Sequence, residues 1–430
     1  MTPGRIHRGR LRNGLQVLLK EIRTAPIVSV WLWYRVGSRN ERAGLTGVSH
    51  WVEHMQFKGT PTYPVGSLDR AISREGGIWN AMTWLDWTAY FETLPADRLD
   101  LALRIESDRM VNSLFAPREV TSERTVIISE RQGNENEPTF RLSEEVQASA
   151  FRVHSYHHEV IGDVSDLASM TREDLIRHYQ HFYVPSNAVL TLAGDFQWRP
   201  VLDRVRELFG NVPAGTPPAP LTRPEPPQHG ERRVTVEGPG ETSYVEVAYH
   251  VPSAADADFF PLVVLDSILA GPSNLNLFGS GISNKTSRLY RALVDTELAA
   301  GVSGGMAATL DPYVYTLTAT VRSGRTPEQV LSALDQELRH LLEEPVQEEE
   351  LMRAVKQARA IFAYGSETVT NQAFWMGYAE MFADYGWFET YLPKLESVRA
   401  EDVSRVARKF LSKRNRIVGF YLPSEGVAEI

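Results

Sequence analysis

The chain has 430 residues, of which 43% are hydrophobic and 23% are charged, and its formal net charge is −9. This length suits two domains of roughly 200 residues each better than one hydrophobic core, and the composition argues against general disorder. The negative charge argues against nucleic acid or an anionic membrane as the main partner. Because the chain has no cysteine, disulfides and thiolate zinc sites are excluded, and any metal must be held by His, Asp or Glu.

The N-terminal region predicts no targeting segment. Residues 1–14, MTPGRIHRGRLRNG, are polar and lack the apolar stretch of a secretory signal. The longest apolar run, within residues 25–37, is too short to span a bilayer. We therefore expect a cytoplasmic protein with no membrane partner.

Strands are predicted in adjacent pairs. Residues 15–22 (LQVLLKEI) and 28–36 (VSVWLWYRV) predict one hairpin, and residues 77–84 (GIWNAMTW) and 87–94 (WTAYFETL) predict another. Helical patterns follow in blocks and do not alternate strictly with the strands. The fold class expected is α+β, with two related domains, each a largely antiparallel sheet with helices packed on one face.

A helix that carries two histidines is predicted between these hairpins. Residues 44–59, GLTGVSHWVEHMQFKG, have Thr46 as a plausible N-cap and Gly59 as a plausible C-terminal stop. His50 and His54 then project from one face, about one turn apart, so both imidazoles can reach one ion.

Glu53 lies beside that histidine face and can take a proton from a metal-bound water without being a ligand. The order His-x-x-Glu-His is the inverse of the common zincin order. The motif alone is only suggestive, because two histidines can also share the face of an ordinary helix.

A catalytic zinc site needs a third protein ligand. Residues 118–138, REVTSERTVIISERQGNENEP, predict a second helix on which Glu123 and Glu130 are seven residues apart and share a face. Glu130 would complete a His, His, Glu set, and Glu123 could hydrogen-bond a ligand or the water. Either acid could equally be a solvated charge on a helix surface.

The two halves of the chain repeat each other around a proline-rich segment. Residues 211–230 contain seven prolines and predict a stiff linker. Residues 169–196 resemble residues 397–423, and both predict a capped helix, a turn and a strand. The matching pairs are all offset by 228: Ser169 and Ser397, Asp174 and Asp402, Phe182 and Phe410, and Asn187 and Asn415. The predicted domains are 1–210 with the metal motif, a linker at 211–232, and a degenerate repeat at 233–430.

Three segments, HWVEHMQFKGTPTYP, GGIWNAMTWLDWTAYFETLP and SERTVIISE, resemble in order and spacing the pitrilysin, insulin-degrading enzyme and mitochondrial processing peptidase family. The resemblance extends more weakly into the second half. It implies a short two-domain subunit with the processing-peptidase-like metallohydrolase fold and the activity of a zinc endopeptidase. It also implies one zinc ion per chain with His50, His54 and Glu130 as ligands, Glu53 as general base and Glu123 as an acid near the metal.

The resemblance also assigns a role to the strand predicted at residues 77–84. In the family this strand lies at a sheet edge, where an extended peptide can add as a further strand. Asn80 matches the position that contacts the substrate backbone near the scissile bond.

The second half departs from the family pattern. Active members carry an Arg and a Tyr seven residues apart, and the matching positions here are Val294 and Gly301, while Arg288 and Tyr290 have the wrong spacing. A homologous subunit without zinc is therefore the expected partner, in a heterodimer that acts on a peptide substrate. A self-sufficient homodimeric peptidase and a non-catalytic scaffold subunit are the alternatives. The role of residues 271–287 stays open.

Overall fold

The computed structural model describes residues 5–219, 223–276 and 281–424. Within this part of the chain the strands form one sheet of six strands and one of five. The strands are β1 (Ile6–Arg10), β2 (Gln16–Glu21), β3 (Ile27–Tyr34), β4 (Ile78–Thr83), β5 (Thr88–Pro95), β6 (Ala188–Gly194), β7 (Arg232–Gly238), β8 (Tyr244–Val251), β9 (Ala299–Gly305), β10 (Tyr313–Val321) and β11 (Arg416–Pro423).

Helices accompany both sheets, so the predicted α+β class is confirmed. They are α1 (Val48–Met55), α2 (Ser67–Arg74), α3 (Leu99–Asn112), α4 (Pro117–Glu135), α5 (Pro138–Ala150), α6 (Val164–Ser169), α7 (Arg172–Phe182), α8 (Trp198–Phe209), α9 (Phe259–Leu269), α10 (Pro327–Glu343), α11 (Glu348–Tyr364), α12 (Val369–Phe382), α13 (Tyr385–Glu389), α14 (Tyr391–Glu396) and α15 (Ala400–Phe410).

The sheets are mostly antiparallel, in the orders β1-β2-β6-β3-β5-β4 and β7-β11-β8-β10-β9. The parallel neighbours are β2 with β6 and β7 with β11. The predicted hairpin of β4 and β5 is correct. The predicted hairpin of β2 with β3 is wrong, because β6 lies between them and pairs with both. All of β6 is buried, so its apolar run fits the centre of the sheet, a placement that local sequence does not reveal.

Each sheet belongs to one compact unit, and each unit includes helical residues from the opposite half of the chain. Helix α12 packs on β3 and β6, where the Thr191 hydroxyl donates to the Ala373 carbonyl at 2.9 Å. Helix α5 packs on β7, β8 and β11, where the Ser143 hydroxyl donates to Glu246 at 2.7 Å. The domain limits predicted from the sequence, 1–210, 211–232 and 233–430, stay a prediction. The units are Met1–Gln132 with His158–Arg223 and Glu367–Phe388, and Gly133–His157 with Pro224–Ser366 and Glu389–Ile430.

The internal repeat is visible as matching structure in both units. Helix α7 leads into β6, and α15 leads into β11. The side-chain amide of Asn187 donates to the carbonyls of Phe182 and Arg35, and that of Asn415 donates to those of Phe410 and His250. One asparagine therefore ties the helix end to a neighbouring strand, β8, in one copy and to the residue directly after β3 in the other.

Candidate metal centre

Helix α1 is held at its N-terminus by a buried carboxylate. The N-cap is Gly47 and not the predicted Thr46, whose hydroxyl donates to Asp166 at 2.8 Å. Glu41 accepts from the backbone N–H groups of Gly47 and Ser49, both at 2.8 Å. These groups would otherwise be among the unpaired donors of the first helical turn. The apolar side chains of α1 face the core, which turns the two histidines to the opposite side.

The structure brings His50, His54 and Glu130 together. Nε2 of His50 lies 3.9 Å from one carboxylate oxygen of Glu130, and Nε2 of His54 lies 3.7 Å from the other. One ligand atom from each of the three residues lies within 4.8 Å of the other two. No other group of three or more His, Asp or Glu in the described ranges meets this condition.

This cluster fits a zinc ion. Two imidazole nitrogens and one carboxylate oxygen form a donor set used by hydrolytic zinc sites, and zinc bonds of 2.0–2.1 Å at tetrahedral angles place ligand atoms roughly 3.4 Å apart. Burial and the neighbouring His54 lower the pKa of His50 to about 3, so its imidazole is neutral near pH 7. That His50, His54 and Glu130 are ligands stays a prediction.

Glu123 orients one of the histidines. Its Oε1 lies 2.9 Å from Nδ1 of His54, which leaves Nε2 of the ring for the metal. Its Oε2 lies 2.5 Å from Nζ of Lys58. Burial alone would raise the pKa of Glu123, but the hydrogen bonds from His54 and Lys58 outweigh it and lower this pKa.

Lys58 is a residue of this centre that the motif did not identify. It follows His54 by four residues, within the helix predicted over residues 44–59, but in the structure α1 ends at Met55 and Lys58 lies in the bend beyond it. Its pairing with Glu123 depends on α4, a separate helix. This lysine balances the charge of a carboxylate that does not itself belong to the ligand cluster.

Glu53 lies next to the cluster without being part of it. Its side chain is buried, and its Oε2 accepts a hydrogen bond from the Thr83 hydroxyl at 2.6 Å. Burial raises the pKa of Glu53 to about 7, although the bond from Thr83 opposes the shift. A carboxyl with a pKa near neutrality is suited to accept and release a proton.

Asn80 lies on β4, which has β5 as its neighbour on one side and, among the described residues, no strand on the other. The predicted position of this strand at a sheet edge is therefore correct. The Asn80 side chain is exposed, and its Oδ1 accepts from the backbone N–H of Ala81 at 2.9 Å. Its role in substrate binding stays a prediction.

At positions 294 and 301, where the family pattern has an Arg and a Tyr, the second unit offers no side-chain donor. Val294 ends a π-helical turn, and Gly301 lies on β9, where an added Cβ would meet no atom within 4 Å. The Arg288 guanidinium is paired with Glu350 at 2.7 Å and with Glu337 at 3.5 Å. Of the segment 271–287, whose role stayed open, residues 277–280 lie outside the described part.

The two sheet-and-helix domains and the inverted motif on α1 are features of a two-domain family of zinc peptidases and their relatives. A model described as "Insulinase (Peptidase family M16)" matches residues 16–164 and includes α1, and one described as "Peptidase M16 inactive domain" matches residues 169–358. The chain belongs to peptidase family M16, the pitrilysin family, in its short two-domain form.

Two relatives match the chain over nearly its whole length. Zinc protease PqqE of Helicobacter pylori is 28% identical, over 96% of this chain and 92% of the relative. An uncharacterized zinc protease of Streptomyces coelicolor is 27% identical, over 96% and 88%.

Solved structures show the same fold. A protease from Helicobacter pylori superposes with a TM-score of 0.91 at 26% identity, over 98% of this chain and 100% of that chain. A putative M16-like peptidase from Alicyclobacillus acidocaldarius gives 0.84 at 20% identity, over 99% of each chain. In the described part of this chain, no helix combines the length and apolar composition that a membrane span requires. The cytoplasmic location stays a prediction.

Proposed function

We propose that this chain is a zinc-dependent endopeptidase subunit that hydrolyses peptides or unfolded segments bound as an extended strand. The observation that carries the proposal is the cluster of His50, His54 and Glu130, with their ligand atoms within 4.8 Å and Glu53 beside them. Relatives named zinc proteases, which align along nearly the whole chain, support it.

In the proposed reaction, each residue of the centre has a separate role. Zinc held by the cluster would supply the Lewis acidity that activates water and the scissile carbonyl. Glu53 accepts the proton of the attacking water and delivers it to the leaving amine. Glu123 fixes the ring of His54, and the free edge of β4 aligns the peptide as an added strand, with Asn80 beside the scissile bond.

Metal analysis and peptide cleavage test this function together. Purified protein is expected to hold one zinc per chain, and His50→Ala or His54→Ala should remove both the metal and the activity. Glu53→Gln should keep the metal and lose a factor of about 100 to 10,000 in turnover, because the amide accepts no proton. His340→Ala, which changes a half-exposed histidine on α10, is the control and should match the unaltered chain. Full zinc occupancy in a His50 or His54 variant would overturn the site.

We further propose that the active form pairs this chain with a homologous subunit that carries no His-x-x-Glu-His motif and supplies an Arg and a Tyr. The side chains of Val294 and Gly301, which match the family's Arg and Tyr positions, cannot donate hydrogen bonds. A non-catalytic scaffold is the second candidate, favoured by the match of residues 169–358 to an inactive-domain model. A scaffold would hold no stoichiometric zinc, so the metal analysis separates the two.

A further inference from the structure

The residue Thr83 links the proposed general base to the edge strand through its hydroxyl, and its backbone also hydrogen-bonds Glu53. Thr83 is the last residue of β4, and its Oγ1 donates to Oε2 of Glu53 at 2.6 Å. Both side chains are buried, with exposed fractions of 6% and 7%. A hydrogen bond to a carboxylate in such surroundings is stronger than one between neutral groups.

The direction of this bond is fixed by the neighbouring strand. Thr88 of β5 lies directly opposite Thr83, and their hydroxyl oxygens are 3.3 Å apart. The one proton of the Thr88 hydroxyl goes to the Val36 carbonyl at 2.9 Å. The Thr83 proton is directed to Glu53, because this acceptor is nearer, at 2.6 Å, than the Thr88 hydroxyl at 3.3 Å. The β-branched side chain of Thr83 also restricts its own rotation.

We infer that Thr83 is a positioning residue that holds Oε2 of Glu53 and leaves Oε1 as the proton-accepting atom. The inference rests on the proposed role of Glu53 as general base. Without the hydroxyl's bond, the terminal torsion of the Glu53 side chain is less restricted, and Oε1 is no longer held in one position for accepting the proton. Because Thr83 belongs to β4, the same strand that aligns the peptide also aligns the base.

Replacing Thr83 by a residue of the same shape tests the effect of its hydroxyl alone. Thr83→Val keeps the shape and the strand preference of the residue and removes the donor. The loss of a hydrogen bond to a charged group predicts a fall in kcat of about tenfold to a hundredfold, with KM and zinc content unchanged. Thr83→Ser keeps the donor and should restore most of the rate. Thr191→Val, which removes another buried hydroxyl, from β6 of the same sheet, is the matched control.

A double-mutant cycle separates a positioning role from a merely structural one. Adding Thr83→Val to Glu53→Gln should cost no further activity, because Thr83 acts only through the carboxylate of Glu53. Equal rates for Thr83→Val and the unaltered chain, or additive losses in the cycle, would overturn the inference.

Crystal structures of the zinc-loaded unaltered chain and the Thr83→Val variant provide a readout that needs no turnover. The Glu53 carboxylate should change rotamer in the variant, and an unchanged rotamer would overturn the inference even if the chain cleaves no peptide. A zinc-loaded chain that is inactive with and without a partner subunit would instead count against the proposed function. If Thr83→Val does not fold, Thr83→Ala serves in both experiments.

Discussion

At the scale of single residues, the carboxylate of Glu123, which lies next to the metal cluster, predicts a partial loss of zinc affinity. Glu123→Gln should weaken zinc affinity about tenfold to a hundredfold without abolishing binding, because a residue that orients a ligand contributes this much. The amide still reaches His54, but it loses its charge and its ion pair with Lys58. Competition with a zinc chelator measures the change.

The control for this change lies on the same helix. Glu119→Gln alters a half-buried glutamate of α4 that is not among the clustered residues, and zinc affinity should stay unchanged. Equal affinities for Glu123→Gln and the unaltered chain would show that Glu123 does not orient the metal site.

A second carboxyl predicts a dependence of stability on pH. Asp266 of α9 is fully buried, and burial raises its pKa from 3.8 to about 6 although the Ser273 N–H donates to it. A raised pKa means that the folded state favours the protonated form. The stability linked to this proton is complete below pH 3.8 and is lost as the pH rises through about 6.

Asp266→Asn measures that loss, because the amide cannot ionise. Relative to the variant, the unaltered chain should lose about 3 kcal/mol of unfolding free energy between pH 3.5 and pH 8, at 1.36 kcal/mol for each pH unit between the two pKa values. Denaturant unfolding of both proteins at several pH values gives the difference. A difference that does not vary with pH would show that Asp266 is ionised to the same extent in the folded and unfolded states.

At the scale of elements, the sequence correctly predicted the features that depend on residues only a few positions apart. The four-residue spacing of His50 and His54 and the short turn between β4 and β5 act within a few residues, and both are present in the structure. The sequence alone did not predict the contacts between segments that are far apart in the chain. Neither β6 between β2 and β3 nor the bond from Thr83 to Glu53 leaves a periodic signal, because each depends on how separate elements pack.

The N-terminus of α1 gives a prediction at this scale. Gly47 has φ +86°, and an added Cβ would lie 2.4 Å from the carbonyl oxygen of Ile161. Gly44 has nearly the same φ, +87°, with nothing within 4 Å. Gly44→Ala should therefore cost only the left-handed strain of about 1–2 kcal/mol. Gly47→Ala should cost more and also weaken zinc binding, because the helix that carries both histidines must move.

Thermal unfolding and chelator competition compare the two glycine variants directly. Zinc affinity should fall for Gly47→Ala and stay constant for Gly44→Ala. Equal behaviour of the two would mean that the contact between Gly47 and Ile161 does not hold α1 in place.

At the scale of the whole molecule, the two units repeat one helix-to-strand arrangement but differ in their candidate functional residues. The paired asparagines Asn187 and Asn415 make equivalent bonds in each copy of the repeat. The candidate metal cluster lies in the first unit, and no second such cluster occurs in the described part of the chain. The inactive-domain model matches residues 169–358, most of which belong to the second unit.

The last prediction follows from the missing side-chain hydrogen-bond donors at positions 294 and 301 of the second unit. Developing negative charge on the substrate carbonyl needs hydrogen-bond donors besides the metal, and the loss of one donor typically costs about 2.7–4 kcal/mol in the barrier, a hundredfold or more in rate. Val294 and Gly301 supply none from their side chains. The zinc-loaded chain alone should therefore cleave peptides at least about a hundredfold more slowly than its mixture with a homologous subunit that carries the Arg and Tyr.

Variants of the added subunit make this test specific. Replacing its Arg by Ala or its Tyr by Phe should abolish the stimulation while leaving complex formation intact, as measured by size-exclusion chromatography. If the purified chain forms a dimer with itself and cleaves peptides at a rate that no added subunit changes, the self-sufficient homodimer is correct. In that case the donors to the carbonyl come from groups other than the side chains at positions 294 and 301, and backbone N–H groups are the remaining donors at those two positions.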